Sequence, residues 1–395
     1  MQLLLTKYSN NLAQLFSIDQ NPNNRFINFF VIPIGISFYS LQAISLLVDV
    51  QNRKYNGTIS FNEVSLFLTL FPQSIMGPIH RASELIPQFI SQKYFCADNI
   101  VNGLKTMLWG YFCKLIIADK ISIIATPIFN SYFEQDGLSI SLAALLYSWQ
   151  IYFDLWGYSL IAIGAGRILG FRININFNSP YVSKSFKDFW HRWHITLSKW
   201  MRDYIYIPLG GRKQKIYLLF FNSILITFLV SGFWHGVTTN FIIWGATHAF
   251  LYLLEDFFRR KLPLTISVNR SLFIVRLFRL CRTTLFFIII SLTWLIFRTD
   301  NLSELVAMLK SIVAFSDWSI ANTSKNFLTS SNISYILIIL TTLVISNKPF
   351  LKRIIEHVPS SIIEIVTDSV FIFVCLTAII LWGDIGGQEF LYFRF

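Results

Sequence analysis

Long apolar runs with few charges dominate the hydropathy pattern of the chain. Six of them are near or somewhat below the ~20 residues that an α-helix needs to cross a bilayer. They are 27–50, 217–234, 238–258, 283–298, 333–346 and 367–382. Two further runs, 100–118 and 139–170, are apolar but interrupted by Lys105, Lys114 and Asp154. The pattern predicts an all-α, polytopic membrane protein built as a helical bundle.

The segment 56–95 breaks this pattern with three closely spaced prolines. Its stretch FPQSIMGPIHRASELIPQF contains Pro72, Pro78 and Pro87. Proline removes a helix hydrogen-bond donor and clashes with the preceding turn, so a broken or re-entrant segment is expected instead of a clean span. Irregular backbone at membrane depth is tolerated where it lines a cavity enclosed by protein. The segment is therefore either a wall of a site or a surface loop.

Apolar and basic residues alternate at helical spacing between Ser185 and Met201. The apolar positions, three and four residues apart, are Phe186, Phe189, Trp190, Trp193, Leu197, Trp200 and Met201. The opposite positions are Lys187, Arg192, Lys199 and Arg202. This spacing predicts one amphipathic, tryptophan-rich helix lying at the membrane interface. Pro208 and Gly210–Gly211 end the regular structure.

Composition supports a chain whose main solvent is lipid. Hydrophobic residues make up 54% of the 395 residues and charged residues only 14%, too little polar surface for a soluble protein of this length. The net charge of +12 comes from short basic segments beside the apolar runs, which favours a cytoplasmic location of those segments and contact with anionic lipid. Nucleic acid is not expected as a partner. Because no linker or repeat divides the chain, a single domain over 1–395 is predicted.

Five histidines could carry chemistry. His235 and His248 lie in the apolar stretch SGFWHGVTTNFIIWGATHAF, and His191 and His194 are three residues apart on the predicted helix. A metal site, structural histidines and acid–base chemistry are all open interpretations, but no acid follows the usual ligand spacing, so no metal is predicted. His80, His191 and His248 favour the structural interpretation, with hydrogen bonds inside the bundle. His235 is the best candidate for a general base, because ionisable groups in membrane spans are functional by default.

Several sequence blocks, in order, resemble the membrane-bound O-acyltransferase (MBOAT) family. They are PIGISFYSLQAISLLVDV (33–50), FPQSIMGPIHRASELIPQ (71–88), GYSLIAIGAGRILGFRININFNSPY (157–181), DFWHRWHITLSKWMRDYIYIPLGG (188–211), SGFWHG (231–236) and WGATH (244–248). Within the family, the bacterial polysaccharide O-acetyltransferases of the alginate type are the most similar branch. The resemblance extends from about residue 7 to the region around 250 and more loosely beyond.

The resemblance implies a helical bundle with re-entrant or interfacial helices and a central catalytic tunnel. It implies an O-acyltransferase of the bacterial inner membrane that moves an acetyl group from acetyl-CoA to hydroxyls of an extracytoplasmic or exported polysaccharide. His235 matches the catalytic histidine of the family's W-H-G motif, and His194 matches the histidine of its R-W-H-I-T-L-S motif in the same tunnel. Acetyl-CoA is a donor substrate, and no bound cofactor is expected. A periplasmic acetyltransferase partner protein is expected to take part in the transfer.

Five basic residues are candidates to bind the phosphates of CoA by charge-assisted contacts. They are Arg192, Lys199, Arg202, Arg212 and Lys213. This assignment depends on charge and side of the membrane alone. An equally good interpretation is that these residues only set the topology by lying on the cytoplasmic side.

Two features depart from the family pattern. In the family, further membrane helices precede the segment that matches Lys7-Tyr8, so an N-terminally short version is expected. The block Y-x-D-F-S-G-Y-S-D reads YFDLWGYSL here, which keeps Asp154 but replaces a serine and an acid by Trp156 and Leu160. An inactive scaffold, or a relative acting on peptidoglycan or transferring D-alanine, therefore stays an alternative. A transporter with a histidine proton relay is disfavoured because 217–254 and 283–297 contain no acid.

Overall fold

The computed structural model describes residues 35–55, 58–74, 76–211, 217–236, 238–261, 272–315, 318–327, 329, 332–335, 337 and 360–384. Its α-helices are α1 Ile36–Gln51, α2 Phe61–Thr69, α3 Phe71–Ser74, α4 Ala82–Ile90, α5 Ala97–Phe112, α6 Asp119–Asn130, α7 Gly137–Ile168, α8 Phe186–Arg192, α9 Ile195–Met201, α10 Tyr217–His235, α11 Thr239–Lys261, α12 Leu272–Arg298, α13 Leu302–Val313, α14 Ile320–Phe327 and α15 Ser360–Trp382. No residue in these ranges forms a β-strand. The all-α prediction is confirmed.

Three of these helices are long and apolar enough to cross a membrane, counting only the described residues. They are Leu218–His235, Thr239–Lys261 and Val275–Arg298, which correspond to three of the predicted spans. The predicted span 367–382 lies within α15, and the described part of 27–50 forms most of α1. Most of 333–346 lies outside the described residues. Long apolar helices of this kind are expected of a helical membrane protein.

The longest helix, α7, packs along α5 through glycines. A Cβ atom on Gly110 would lie 2.6 Å from the carbonyl oxygen of Gly157, and one on Gly103 would lie 2.8 Å from that of Gly164. Both pairs are seven residues apart on their helices, so the same faces meet twice. Small residues at such positions let the two backbones approach closely, as is common between helices in membranes.

A π-helical stretch, Cys113–Ala118, joins α5 to α6 and carries a buried charge. The ammonium of Lys114 lies 2.8 Å from Oδ1 of Asp119 and 2.7 Å from Oδ1 of Asp154, and all three side chains are buried. Lys114 and Asp119 are five residues apart, a spacing that the wider π-turn brings towards one face. Lys105 is ion-paired with Asp368 of α15 at 2.7 Å. The charges that interrupt the apolar runs are therefore paired between helices.

The proline-rich segment 56–95 is broken, as predicted. Between α3 and α4, residues 76–81 are not helical, and most of them are buried. Ser60 caps α2 in a reciprocal arrangement with Glu63, while Pro87 lies inside α4. From this buried non-helical stretch, the backbone N–H of Ile79 bonds to Thr196, two residues after His194.

Candidate active site

The helix predicted over Ser185–Met201 is wrong as a single element, because it is interrupted at Trp193 and His194. α8 ends before Trp193, whose backbone is extended, and His194 has φ 40° and ψ 55°. A positive φ is uncommon for a residue with a side chain, although histidine is among the types that tolerate it better. The break turns the chain, so that His194 is buried while His191 is exposed. The two histidines do not share a face.

A network centred on Thr196, here called the Thr196 network, holds this break. The backbone N–H of Ile195 donates to the carbonyl oxygen of Asn176 at 2.8 Å, and the hydroxyl of Thr196 donates to Oδ1 of Asn176 at 2.6 Å. The same hydroxyl accepts from the backbone N–H of Ile79 at 2.9 Å. Three separate parts of the chain therefore fix the backbone on which His194 lies.

The imidazole of His194 is enclosed by aromatic rings. Only 2% of the residue is exposed, and its ring lies 6.4 Å from Phe38 and 6.1 Å from Phe177, measured between centroids. Nδ1 has no hydrogen-bond partner among the described residues. Burial lowers the pKa of His194 to about 3, so the ring is neutral at physiological pH.

His235 ends α10 and is buried among aromatic rings of three helices. Its ring packs edge-on against Trp244 of α11 and Phe297 of α12, both at 5.2 Å, and against its neighbour Trp234 at 4.8 Å. The residue is 5% exposed. An imidazole here is shielded from bulk water.

The glycine after His235 is required by the packing of the next helix. A Cβ atom on Gly236 would lie 2.3 Å from two ring carbons of Phe241, and one on Gly232 would lie 2.3 Å from the carbonyl oxygen of Phe241. Gly245 has the same close approach to the carbonyl oxygen of Phe228, at 2.4 Å. The glycines of SGFWHG and WGATH thus bring α10 and α11 together at the position of His235.

Phe38 of α1 connects the surroundings of the two histidines. Its ring stacks on His194 and lies 5.5 Å from Trp234 in an edge-on contact. The indole N–H of Trp234 donates to the carbonyl oxygen of Ser37 at 3.2 Å, which fixes that contact. Both motif histidines therefore border one aromatic core to which α1, α9, α10 and α11 contribute.

The other histidines differ from each other. The backbone N–H of Asn174 donates to Nε2 of His80 at 3.0 Å, so Nδ1 must carry the proton that it shares with the carbonyl oxygen of Pro78, also at 3.0 Å. His80 is fully hydrogen-bonded, as the structural interpretation requires. His191 is exposed, with Nδ1 against the carbonyl oxygen of Lys187. His248 is completely buried, yet neither ring nitrogen has a partner in the described part of the chain.

The candidate CoA-binding residues lie at the surface where they are described. Arg192 pairs with Asp188 at 2.8 Å, Arg202 pairs with Asp203 at 2.7 Å, and Lys199 is exposed. Arg212 and Lys213 lie outside the described residues. Across the ranges given above, no group of three or more His, Cys, Asp or Glu side chains is placed to hold a metal ion.

The residues that surround and hold His194 were not predicted from the sequence. Phe38 and Thr196 carry no chemistry that singles them out, and the polar stretch that contains Asn176 has only its resemblance to the family as a signal. Their importance comes from contacts over long separations, such as the 117 residues between Ile79 and Thr196. The one available signal was their position inside the family-like blocks 33–50, 157–181 and 188–211.

Comparison with known proteins agrees with these motifs. The model of the membrane-bound O-acyltransferase family matches residues 25–297. The chain is 37% identical over 313 residues to a protein of Azotobacter vinelandii named probable alginate O-acetylase AlgI, which covers 79% of this chain and 60% of the relative. It is 34% identical over 324 residues to the peptidoglycan O-acetyltransferase of Helicobacter pylori, covering 75% and 59%.

A more distant similarity is to the teichoic acid D-alanyltransferase of Bacillus subtilis. The identity is 28% over 258 residues, covering 61% of this chain and 62% of the relative. The chain thus spans about 60% of the length of the curated relatives that it matches.

Proposed function

Since the chain belongs to the membrane-bound O-acyltransferase family, we propose that it is an O-acyltransferase that moves an acetyl group from acetyl-CoA to hydroxyls of an extracytoplasmic or exported polysaccharide. The observation that carries this proposal is the burial of both motif histidines, His194 and His235, in one aromatic core. Sequence identity of more than 30% to relatives named O-acetylase or O-acetyltransferase supports acetyl as the group transferred.

His235 is the general base in this proposal. Acyl transfer from a thioester requires that a hydroxyl lose its proton as its oxygen attacks the carbonyl carbon. Histidine is suited to this because its ordinary pKa lies near physiological pH. The hydroxyl proton passes to His235 and then to the departing thiolate of CoA, so no covalent enzyme intermediate is needed.

His194 orients the acceptor or polarises the thioester carbonyl. Because burial keeps its pKa far below neutrality, the ring acts as a neutral hydrogen-bonding group. Its Nδ1, which has no partner among the described residues, is the atom available for such a contact. A neutral ring avoids placing a second positive charge in a core of low polarity.

The donor binds on the cytoplasmic side of the membrane in this proposal, and the acceptor lies on the opposite side. Arg192, Lys199 and Arg202, with Arg212 and Lys213, bind the phosphates of acetyl-CoA on the cytoplasmic side of the inner membrane. Guanidinium and ammonium groups suit phosphate oxygens. The acetyl group reaches the polysaccharide on the opposite side either directly or through a periplasmic acetyltransferase partner. Peptidoglycan is a second candidate acceptor, since the relative from Helicobacter pylori bears that name.

The proposal is tested by substituting His235 and His194 by alanine at the chromosomal locus. Ester-linked acetate released by mild alkali is then measured separately in exported polysaccharide, peptidoglycan and teichoic acid, with protein amount followed by immunoblot. We expect His235→Ala to abolish the acetate in one fraction at unchanged protein amount. His191→Ala is the matched control, because His191 is exposed three residues from His194, and it should retain the acetate.

The three fractions separate the alternatives. Loss of acetate from peptidoglycan alone would assign peptidoglycan as the acceptor. Loss of ester-linked D-alanine would show that the group transferred is D-alanine and not acetyl. If stable His235→Ala protein left every fraction unchanged, the proposed base would be refuted and the inactive-scaffold alternative favoured.

A further inference from the structure

Three nitrogen-containing rings are in mutual contact around Trp244, two of them fully buried and the third, Trp190, partly buried. His248 lies 4.8 Å from Trp244 and 5.2 Å from Trp190, and the two indoles are 6.0 Å apart, all measured between ring centroids. His248 and Trp244 are on α11, whereas Trp190 is on α8. We call these three residues the indole–imidazole cluster.

The nitrogens of this cluster have no hydrogen-bond partner among the described residues. This applies to Nε1 of Trp190, Nε1 of Trp244 and both ring nitrogens of His248. Trp200, another indole of the core, is bonded and donates to the carbonyl oxygen of Leu41 at 2.9 Å, whereas Nε1 of Trp294, whose ring lies 6.3 Å from His248, shares the lack of a partner in the described part of the chain. A buried polar group without a partner destabilises a fold, and several adjacent ones are rare enough to require an explanation.

The chemistry of the cluster defines the ligand that would satisfy it. An indole N–H can only donate, and a neutral imidazole offers one further donor and one acceptor. The surrounding rings, Phe186 and Phe228, are apolar. The cluster therefore suits a neutral oxygen that accepts hydrogen bonds, such as a carbonyl oxygen, more than a cation or a carboxylate.

Trp244 places this cluster beside the proposed base. Its indole contacts both the ring of His248 and the ring of His235, at 4.8 and 5.2 Å between centroids. An acyl carbonyl oxygen held by the Trp244 N–H would thus be bound by a residue whose ring contacts the proposed base.

We infer that Trp190, Trp244 and His248 form the subsite for the carbonyl oxygen of the acyl donor, an assignment that rests on the proposed function. As the hydroxyl oxygen bonds to the carbonyl carbon and His235 takes its proton, the C=O electron pair moves onto the carbonyl oxygen. The cluster's N–H groups stabilise that negative charge. The C=O bond then re-forms, the C–S bond breaks, and the thiolate receives the proton from His235.

Binding of unreactive donor analogues to the purified full-length protein tests this subsite. One probe is a ketone in which CH2 replaces the sulfur of acetyl-CoA, and the other is the same compound with its carbonyl reduced to CH2. We expect the protein to bind the ketone about tenfold more tightly, in line with a hydrogen bond that is lost without replacement. Trp244→Phe, which keeps the ring and removes the N–H, should reduce this preference to about twofold or less.

Turnover gives a second measurement. Trp190→Phe and Trp244→Phe should each lower kcat about 10- to 100-fold with little change in the KM for donor, as expected when a donor to a developing oxyanion is removed. Trp200→Phe is the matched control, because its N–H bonds to Leu41 and not to a ligand. It should keep the preference for the ketone. His248→Phe tests the imidazole in the same way.

Three outcomes would overturn the assignment. If Trp244→Phe and His248→Phe keep both kcat and the ketone preference, the nitrogens only pack against ring faces. If these variants lose affinity for the acceptor glycan but keep the ketone preference, the oxygen bound belongs to the acceptor. If the wild-type protein binds neither analogue while acetyl transfer still depends on His235, the acyl-CoA donor itself is wrong, and the carbonyl subsite falls with it.

Discussion

The hydroxyl of Thr196 is the point at which the backbone around His194 can be weakened without touching either histidine. It donates to Oδ1 of Asn176 and accepts from the backbone N–H of Ile79. Thr196→Val removes the hydroxyl and keeps the shape of the side chain. Both hydrogen bonds are lost, and the buried N–H of Ile79 loses its acceptor.

The size of this effect follows from the two bonds. Losing the bond between the Thr196 hydroxyl and Asn176 costs about 1 kcal/mol net. Leaving the Ile79 N–H buried and unpaired costs about 1–3 kcal/mol more. Thr196→Val should therefore destabilise the protein by about 2–4 kcal/mol, and it should lower acetyl transfer because His194 depends on this backbone.

Thr196→Ser is the matched comparison, since it keeps the hydroxyl and removes only a methyl group worth about 1 kcal/mol. The measurements are the thermal denaturation of each variant in detergent and its ester-linked acetate in cells. Valine should denature at a clearly lower temperature than serine. If valine were as stable as serine, or more so, the Thr196 network would not hold the break at His194.

Three further predictions concern the packing, the buried ions and pH. Gly236→Ala should destabilise by about 1–3 kcal/mol through overpacking against Phe241, and adding Phe241→Leu should restore part of the melting temperature; no loss would contradict the close approach. Lys114→Met should cost about 3–5 kcal/mol in chemical denaturation, because Asp154 is left buried without its cation; an unchanged midpoint would refute the pairing. Since the pKa of His194 is lowered to about 3, stability should fall as pH drops from about 6.5 towards 3, by up to about 1.4 kcal/mol per pH unit. Denaturation midpoints at successive pH values should decline less in His194→Gln, and equal declines would refute this.

Helix length was predictable wherever apolar length alone decides it. The run 217–234 corresponds to α10 at Tyr217–His235, and 238–258 corresponds to most of α11. Neither segment contains a proline, and apolar residues occur in every turn, so the sequence gives no reason for either helix to break. The two motif histidines were also found by sequence, since their neighbours Trp193 and Trp234 form part of the same family-like blocks.

The break between α8 and α9 was not predictable from periodicity. Apolar residues recur at helical steps on both sides of His194, so the pattern is continuous although the backbone is not. The interruption depends on the bonds of Thr196 with Asn176 and Ile79, which lie 20 and 117 residues from Thr196 in the sequence. Local spacing contains no information about partners at such separations. For the same reason, the ion pair of Lys114 with Asp154, 40 residues apart, appeared in the sequence only as two interruptions.

Three buried histidines, His80, His194 and His248, differ in the hydrogen bonds that their ring nitrogens make. His80 has a partner for each ring nitrogen, as a histidine retained for packing should. His248 has none in the described part of the chain, and His194 lacks one for Nδ1. A phenylalanine would fill the position of His248 without the penalty of about 1–3 kcal/mol for an unpaired polar group, whereas the positive φ of residue 194 disfavours such a replacement there. This penalty is expected where a substrate supplies the missing hydrogen-bond partner. His248→Phe should then raise the stability of the protein while lowering its turnover.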